Sequence, residues 1–145
     1  MSAILLIHGP NLNRLGARDN KHYGERSLSD IEAGVRESAK KLGYDIKTFQ
    51  SNHEGALIDF LQKEAPKASG IIINPGALTH YSYALHDALV DSRLPCVEVH
   101  LSDIGSREPW RRNSVTAPAC ISQISGKKES GYLEAVEILH KHLVK

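Results

Sequence analysis

The sequence predicts an α/β fold in which a five-stranded parallel sheet carries helices on both faces. Short apolar runs alternate with helical patterns along the whole chain, as a parallel sheet with crossover helices requires. The run Gly70–Asn74 has three consecutive isoleucines, which is typical of a strand buried on both faces. Because crossovers between parallel strands are right-handed, we predict a doubly wound sheet with the flavodoxin-like strand order.

The elements follow in order from periodicity and from the signals that end them. The first strand covers residues 3–7 and stops at Gly9 and Pro10. Ser27 with Asp30 three residues later predicts a capped helix, which Gly43 ends. Further strands are predicted at residues 44–50, 70–74, 95–99 and 119–124, and further helices at about 57–66, 81–91 and 132–144.

The segment after the first strand is the most unusual part of the sequence. It is too long and too irregular for an ordinary connection between a strand and a helix, and such loops are usually lids or binding loops. It carries Arg18 and Tyr23. Because an arginine beside a phenol favours the phenolate form, this pair predicts a tyrosine that acts as a base.

Length and composition indicate one globular domain over residues 1–145. Lys and Arg number 18 against 17 Asp and Glu, so no net charge favours nucleic acid or a membrane. Cys96 and Cys120 lie in apolar, strand-like contexts, and two buried thiols indicate a reducing compartment. No basic leader precedes the first strand and no apolar run has membrane-spanning length. We therefore expect a cytoplasmic protein.

Polar residues concentrate where the predicted strands end. Ligands bind outside the carboxyl ends of parallel strands, near the point where the strand order reverses. The first, third and fourth strands, which are neighbours in the predicted order, are followed by Asn11, Arg18, Tyr23, Asn74, His80, His100, Ser102, Arg107 and Arg111. Glu98 shares a strand face with His100, because both alternate with valines. The sequence predicts a pocket for an anionic, hydroxyl-rich substrate and for proton transfer.

Each of these groups also has a purely structural interpretation. Tyr23 and Arg18 taken singly fit surface residues, Asn74 before Pro75 fits a turn, and a Glu98–His100 ion pair could simply hold the strand. The common phosphate-loop, dinucleotide, zinc and nucleophile-elbow motifs do not occur. Two other functions stay open on the residues alone. One is a binding or regulatory module without turnover. The other is a flavin or phosphate binder, which the lack of a Ser/Thr/Gly-rich loop after the first strand disfavours.

Taken together, the motifs resemble those of the type II 3-dehydroquinate dehydratases, or type II dehydroquinases. The matching residues run in family order across nearly the whole chain, at positions 9–13, 15–18, 23–24, 50–55, 74–77, 79–80, 98–102 and 107–108. The resemblance implies a flavodoxin-like enzyme that works without a metal or an organic cofactor. It also implies dehydration of 3-dehydroquinate to 3-dehydroshikimate, a step of the shikimate route to aromatic amino acids, by anti elimination through an enolate.

The resemblance implies roles for the residues that carry the elimination. Tyr23 takes a proton from C2, and Arg18 holds Tyr23 as the tyrosinate. Asn11 helps to position a water molecule that stabilises the enolate oxygen. His100, oriented by Glu98, protonates the departing C1 hydroxyl.

Further residues are expected to orient the acid or to bind the substrate. Asn74 is expected to help orient His100. The backbone of Leu101 and Ser102 and the Ser102 hydroxyl are expected to hold the carboxylate. The two residues expected to contact the ring hydroxyls are His80 and Arg111.

The resemblance also implies a homododecamer built from trimers, in which Asp87 reaches the pocket of a neighbouring subunit. The chain departs from the family pattern at a few positions. His8 stands where asparagine is usual, His86 where arginine is common, and Lys127 and Lys128 replace an apolar–glycine pair. Asp103, Gly105 and Ser106 replace a frequent Asn-x-His-Ala segment. None of these changes removes a predicted catalytic group.

Overall fold

Five parallel strands form the sheet in the computed structural model, which describes residues 1–145. They are β1 (Ser2–His8), β2 (Tyr44–Gln50), β3 (Gly70–Asn74), β4 (Cys96–His100) and β5 (Ser122–Ser125). The spatial order is β2-β1-β3-β4-β5, and every neighbouring pair is parallel. This order confirms the predicted flavodoxin-like fold. It puts the carboxyl ends of β1, β3 and β4 side by side.

Helices cover both faces of the sheet. They are α1 (Asn20–Tyr23), α2 (Leu28–Lys41), α3 (Glu54–Glu64), α4 (Tyr83–Ser92) and α5 (Ser130–Leu143). Helices α2 and α5 pack with Ile4 and Leu6 on one face, and α3 and α4 pack with Leu5 and Ile7 on the other. Successive residues of β1 thus enter different cores, as the period of a strand requires. No helix combines the length and the apolar character needed to cross a bilayer.

Helix α2 begins as its sequence predicts. The Ser27 hydroxyl accepts from the Asp30 amide at 3.2 Å, and the Asp30 carboxylate accepts from the Ser27 amide at 3.2 Å. This reciprocal pair satisfies two amides that a helix start leaves free. Gly43 follows the helix with φ of 92°, a left-handed conformation that favours glycine.

The fifth strand begins later than predicted, at Ser122 rather than at residue 119. Residues Ala117–Ala119 form a 3₁₀ turn that contains Pro118, which has no amide hydrogen to give to a strand ladder. Cys120 therefore lies between the turn and β5. It is half-buried, whereas Cys96 is fully buried in β4, and both thiols are free.

The segment that joins β1 to α2 contains short helical turns rather than loop alone. We call residues 9–26 the opening segment. It forms a 3₁₀ turn at Leu12–Arg14 and the single turn of α1, which Asp19 caps by accepting from the Lys21 amide at 2.9 Å. Helix α1 ends at Tyr23, so the turn fixes where this side chain leaves the backbone.

Candidate active site

One pocket lies at the carboxyl ends of β1, β3 and β4, and all but three of the predicted site residues line it. They are Asn11, Arg18, Tyr23, Asn74, His80, His100, Leu101, Ser102 and Arg111. The exceptions are Glu98, which lies behind His100, Arg107, which bonds to Tyr23 and Ser102 from outside the lining, and Asp87, which is exposed on α4. The strand order predicted from the sequence therefore brings these groups together.

The loops after β1 and β3 meet through close backbone contacts. The Gly9 amide donates to the Asn74 carbonyl at 2.8 Å, and a Cβ atom on Gly9 would overlap the Pro75 carbonyl. Gly76 has φ of 62°, and a Cβ there would lie 2.9 Å from the Pro10 carbonyl oxygen. Only glycine fits at these two positions, and their close approach borders the pocket on this side.

Two arginines contact Tyr23, and they do so in different ways. Arg107 Nη1 donates to the Tyr23 hydroxyl at 2.7 Å, whereas the Arg18 guanidinium carbon lies 3.7 Å from the centre of the ring. The expectation that Arg18 holds the tyrosinate stays a prediction, and the structure adds Arg107 as the arginine that makes the hydrogen bond. Arg107 lies 84 residues from Tyr23 in the chain, so no local pattern signals the contact. Its position after β4 and its place in the matching motif at 107–108 are the signals that single it out.

The arginines make the pocket strongly positive. Burial lowers the pKa of Arg18, and the nearby charges of Arg107 and Arg111 lower it further, against the pull of Tyr23. Arg107 Nη1 also lies 3.3 Å from the Ser102 hydroxyl, to which it donates. Such a cluster of cations suits an anionic ligand and a phenolate.

His100 and Glu98 form a buried pair. Nε2 of His100 donates to Oε2 of Glu98 at 2.9 Å, and both side chains are almost fully buried. Burial raises the pKa of Glu98, but hydrogen bonds from His100, Thr116 and Gln123 and the charge of His100 outweigh it, so the pKa lies below its usual value. The carboxylate fixes the imidazole ring and leaves Nδ1 as the nitrogen free for a substrate group.

Asn74 lines the pocket with His100, but its side chain bonds to other groups. Its Nδ2 donates to the Tyr132 hydroxyl at 3.0 Å, and its Oδ1 accepts from the Gly76 amide at 3.1 Å. No hydrogen bond therefore carries the expected role of Asn74 in orienting His100, and that role stays a prediction. Burial raises the pKa of Tyr132, so this phenol stays neutral and serves as a partner for the Asn74 amide.

His80 presents one nitrogen to the pocket. Its Nδ1 lies 2.7 Å from the Asn113 carbonyl, which can only accept, so Nδ1 carries a hydrogen. Burial lowers the pKa of His80, and the charges of His100 and Arg111 act in the same direction. The ring is thus neutral near pH 7, and its Nε2 is an acceptor for a hydroxyl group.

Two other features do not belong to the pocket. His8 is fully buried at the end of β1, where its Nε2 lies 3.1 Å from Glu32, and this hydrogen bond lowers the pKa of Glu32. A larger cavity of about 260 Å³ lies between the carboxyl-terminal ends of α3 and α4. It is lined by neither histidine nor arginine, so it lacks the convergent groups of the strand-end pocket.

Comparisons with known proteins agree with this geometry. The family model described as dehydroquinase class II matches residues 2–140. A 3-dehydroquinate dehydratase from Roseiflexus castenholzii is 56% identical over 136 residues, which are 94% of this chain and 87% of that protein. One from Clostridium perfringens is 51% identical over 141 residues, 97% of each chain.

A solved structure is also similar. The type II dehydroquinase from Butyrivibrio crossotus matches with a TM-score of 0.92 and 43% identity, over 95% of this chain and 97% of that one. The family model spans almost every residue, and this solved structure shares the fold over nearly the whole chain. This chain therefore belongs to the class II dehydroquinase family.

Proposed function

We propose that the protein is a 3-dehydroquinate dehydratase that forms 3-dehydroshikimate by anti elimination of water through an enolate. One observation carries the proposal: Tyr23, bonded by Arg107, and His100, bonded by Glu98, line the same pocket. A base and an acid held separately within one cavity are what the removal of a proton and of a hydroxyl group needs. The reaction is a step of the shikimate pathway.

The first step is removal of the C2 proton by Tyr23 as the phenolate. The electrons of the C–H bond move toward the C3 carbonyl and form an enolate. Arg107 donates to the oxygen that acts as the base, and the Arg18 guanidinium lies over the same ring, so two cations face the group that takes the proton. Asn11, whose side chain lines the pocket, positions a water molecule that stabilises the enolate oxygen.

The second step is loss of the C1 hydroxyl group. The C1–O bond breaks and its electron pair leaves with the oxygen, while the enolate electrons restore the C3 carbonyl and form the C1–C2 double bond. The leaving oxygen takes a proton from Nδ1 of the His100 imidazolium, so the products are water and a neutral imidazole. Glu98 holds the ring by its hydrogen bond, so that Nδ1 faces the pocket.

The remaining lining residues bind the substrate. The carboxylate lies against the backbone of Leu101 and Ser102 and the Ser102 hydroxyl, where Arg107 adds a positive charge. His80 accepts from a ring hydroxyl through Nε2, and Arg111 donates to another. Asn74 contacts the substrate beside these two residues, and its side-chain amide is fixed by the hydrogen bond to Tyr132.

Assembly into a homododecamer built from trimers is part of the proposal. Asp87 lies exposed on the outer face of α4, near the exposed Tyr83 and Val90, and does not line its own pocket. An apolar helix face around a carboxylate suits contact with a second copy. Asp87 would then complete the pocket of its neighbour. A cytoplasmic location, supported by the free thiols of Cys96 and Cys120, is also proposed.

A direct assay tests the proposed reaction. Purified protein is mixed with 3-dehydroquinate, and the ultraviolet absorbance of the conjugated enone is followed. We expect the absorbance to rise in proportion to protein concentration. A folded, assembled protein that binds 3-dehydroquinate without producing the enone would instead be a binding module, and the proposal would fail. Borohydride added with substrate should leave activity intact, because no Schiff base forms.

A further inference from the structure

A cluster of three hydroxyl side chains lies behind the His100–Glu98 pair. The hydroxyl cluster consists of Thr79, Ser114 and Thr116. Oγ1 of Thr79 lies 2.7 Å from Ser114 Oγ and 2.7 Å from Thr116 Oγ1, and both threonines are fully buried. None of the three lines the pocket, and the mechanism above gives them no part. Buried hydroxyl groups need partners, so the direction in which these point is informative.

The hydroxyl cluster converges on the Glu98 carboxylate. Thr116 donates to Oε1, and Ser114 donates to Oε2 at 2.9 Å. Gln123 Nε2 donates to the same Oε2 at 2.8 Å, beside the bond from His100. Both carboxylate oxygens are thus held by the protein. Glu98 cannot rotate without leaving buried donors unpaired, which is costly in a dry interior.

The protons of the cluster have a fixed direction. Each hydroxyl has one proton, and Thr116 and Ser114 both give theirs to Glu98, which as a carboxylate can only accept. Neither hydroxyl has a proton left for Thr79, so Thr79 is the donor and gives its single proton to one of them. The Ala117 amide also donates to Ser114 at 2.9 Å. The whole cluster is polarised toward Glu98.

The backbone of residues 113–116, the segment that carries Ser114 and Thr116, is hydrogen-bonded to the turn that carries Thr79 and His80. The Val115 amide donates to the Thr79 carbonyl at 2.7 Å, and the Asn113 carbonyl accepts from His80. The residues that hold Glu98 are therefore fixed against the element that carries His80. A small displacement of residues 113–116 would therefore move both the His100–Glu98 pair and the His80 ring.

We infer that Thr116 and Ser114 are positioning residues that hold Glu98 so that it orients His100. The inference rests on the proposed function, because His100 acts there as the acid. Neutral hydroxyl donors suit this task better than a lysine or an arginine would. They fix the carboxylate without cancelling its charge, so the negative charge still acts on the imidazolium.

The central test replaces Thr116 by valine, which has nearly the same shape but no hydroxyl group. We expect Thr116→Val to lower kcat about tenfold to a hundredfold, the effect of one hydrogen bond to a charged group, with KM changed less than about threefold. Thr116→Ser keeps the donor and should recover kcat to within about threefold of the wild type. Thr48→Val, on the edge strand β2 away from the pocket, is the matched control and should leave both constants unchanged.

An isotope effect separates the acid from the base. Deuterium at C2 of the substrate slows only the proton removal by Tyr23. If Thr116→Val slows the loss of the C1 hydroxyl, that later step limits kcat and the isotope effect becomes smaller. We expect the isotope effect on kcat in Thr116→Val to be no larger than in the wild type, and a larger one would overturn the inference. Should Thr116→Val fail to fold, Ser114→Ala tests the same carboxylate through its other oxygen.

The outcomes separate this inference from the proposed function. A wild-type protein without turnover of 3-dehydroquinate would defeat the proposed function. An active wild type with an equally active Thr116→Val would overturn the positioning role alone. Equal loss of kcat in Thr116→Val and Thr116→Ser, with a lower melting temperature in both, would also overturn it, because it would point to packing of the methyl group.

Discussion

At the scale of single residues, the site depends on contacts between side chains that are far apart in the sequence. Tyr23 meets Arg107, and Glu98 meets Thr116 and Gln123. Each side chain alone has an ordinary structural interpretation. A catalytic role becomes plain only when its hydrogen-bond partner is known. This is why the sequence predicts which groups surround the pocket but does not indicate that Arg107 bonds the Tyr23 hydroxyl.

Removal of the Tyr23 hydroxyl tests the proposed base. Tyr23→Phe should lower kcat by at least about a thousandfold while KM changes little, because the ring and its contact with Arg18 are kept. Tyr81→Phe, which removes a hydroxyl from an exposed ring, is the control and should keep wild-type kinetics. A parallel loss of substrate affinity in Tyr23→Phe, measured by calorimetry, would instead make Tyr23 a binding contact.

The buried Glu98 carboxylate makes stability depend on pH. Its folded pKa lies below the usual value of 4.5, so the folded protein holds the anion more strongly than the unfolded chain does. This stabilisation is present above pH 4.5 and disappears as the pH falls through the lower folded pKa. Urea unfolding at fixed protein concentration should therefore show the stability of the wild type falling relative to Glu98→Gln as the pH drops from 7 to about 3.

The control for this measurement is Glu37→Gln, because the Glu37 side chain is 76% exposed on α2. Its stability difference from the wild type should vary much less over the same pH range, since exposed ion pairs contribute little. A Glu98→Gln difference that stays constant with pH would contradict the assignment of Glu98 as a buried anion.

At the scale of elements, the sequence predicts helices and strands that depend on local signals, and it does not indicate contacts between distant elements. The capping box of α2 and the isoleucine run of β3 are local, and both elements form as predicted. The predicted start of β5 is too early because the turn with Pro118 occupies residues 117–119, a local signal that the apolar pattern of residues 119–124 outweighs. The positions of Thr116 and Ser114 behind Glu98 were out of reach because they depend on contacts with β4, which no local pattern records.

Gly9 and Gly34 differ in the space that surrounds their Cα atoms, so replacing each by alanine should have opposite effects on stability. Gly9→Ala places a methyl group against the Pro75 carbonyl, so it should destabilise the protein by about 2 kcal/mol or more and lower activity. Gly34→Ala, in the middle of α2 with nothing within 4 Å, should instead stabilise it by about 0.5–1 kcal/mol. Denaturant unfolding of both variants measures the contrast. Equal effects would mean that the β1 and β3 loops are not locked together.

At the scale of the whole molecule, the pocket is a product of strand order. Three strand ends become neighbours only because β3 crosses over to lie beside β1, and the polar residues after them then face one another. The fold class was predictable from alternating patterns, since each strand and helix leaves its own period in the sequence. Contacts between subunits produce no periodic pattern in the sequence, and the residues that would make them resemble ordinary surface residues.

The outer face of α4 tests the proposed assembly. Val90→Asp puts a charge on an exposed apolar position of that face, and it should reduce the oligomer to smaller species in sedimentation velocity. The value of kcat/KM should fall at least about tenfold, because Asp87 would no longer reach a neighbouring pocket. Val144→Asp at the other end of the chain is the matched control. An unchanged sedimentation coefficient for Val90→Asp would exclude α4 as the contact.

The contact between Tyr23 and Arg107 also bears on how the enzyme would reject wrong molecules. Arg107 touches the Tyr23 hydroxyl with the same nitrogen that reaches Ser102, where the substrate carboxylate is proposed to bind. A ketone that lacks the carboxylate would enter the pocket without an anion to pair with Arg107. Discrimination would then appear in the rate of proton removal as well as in the strength of binding, because the guanidinium that contacts the proposed base also faces the proposed carboxylate site.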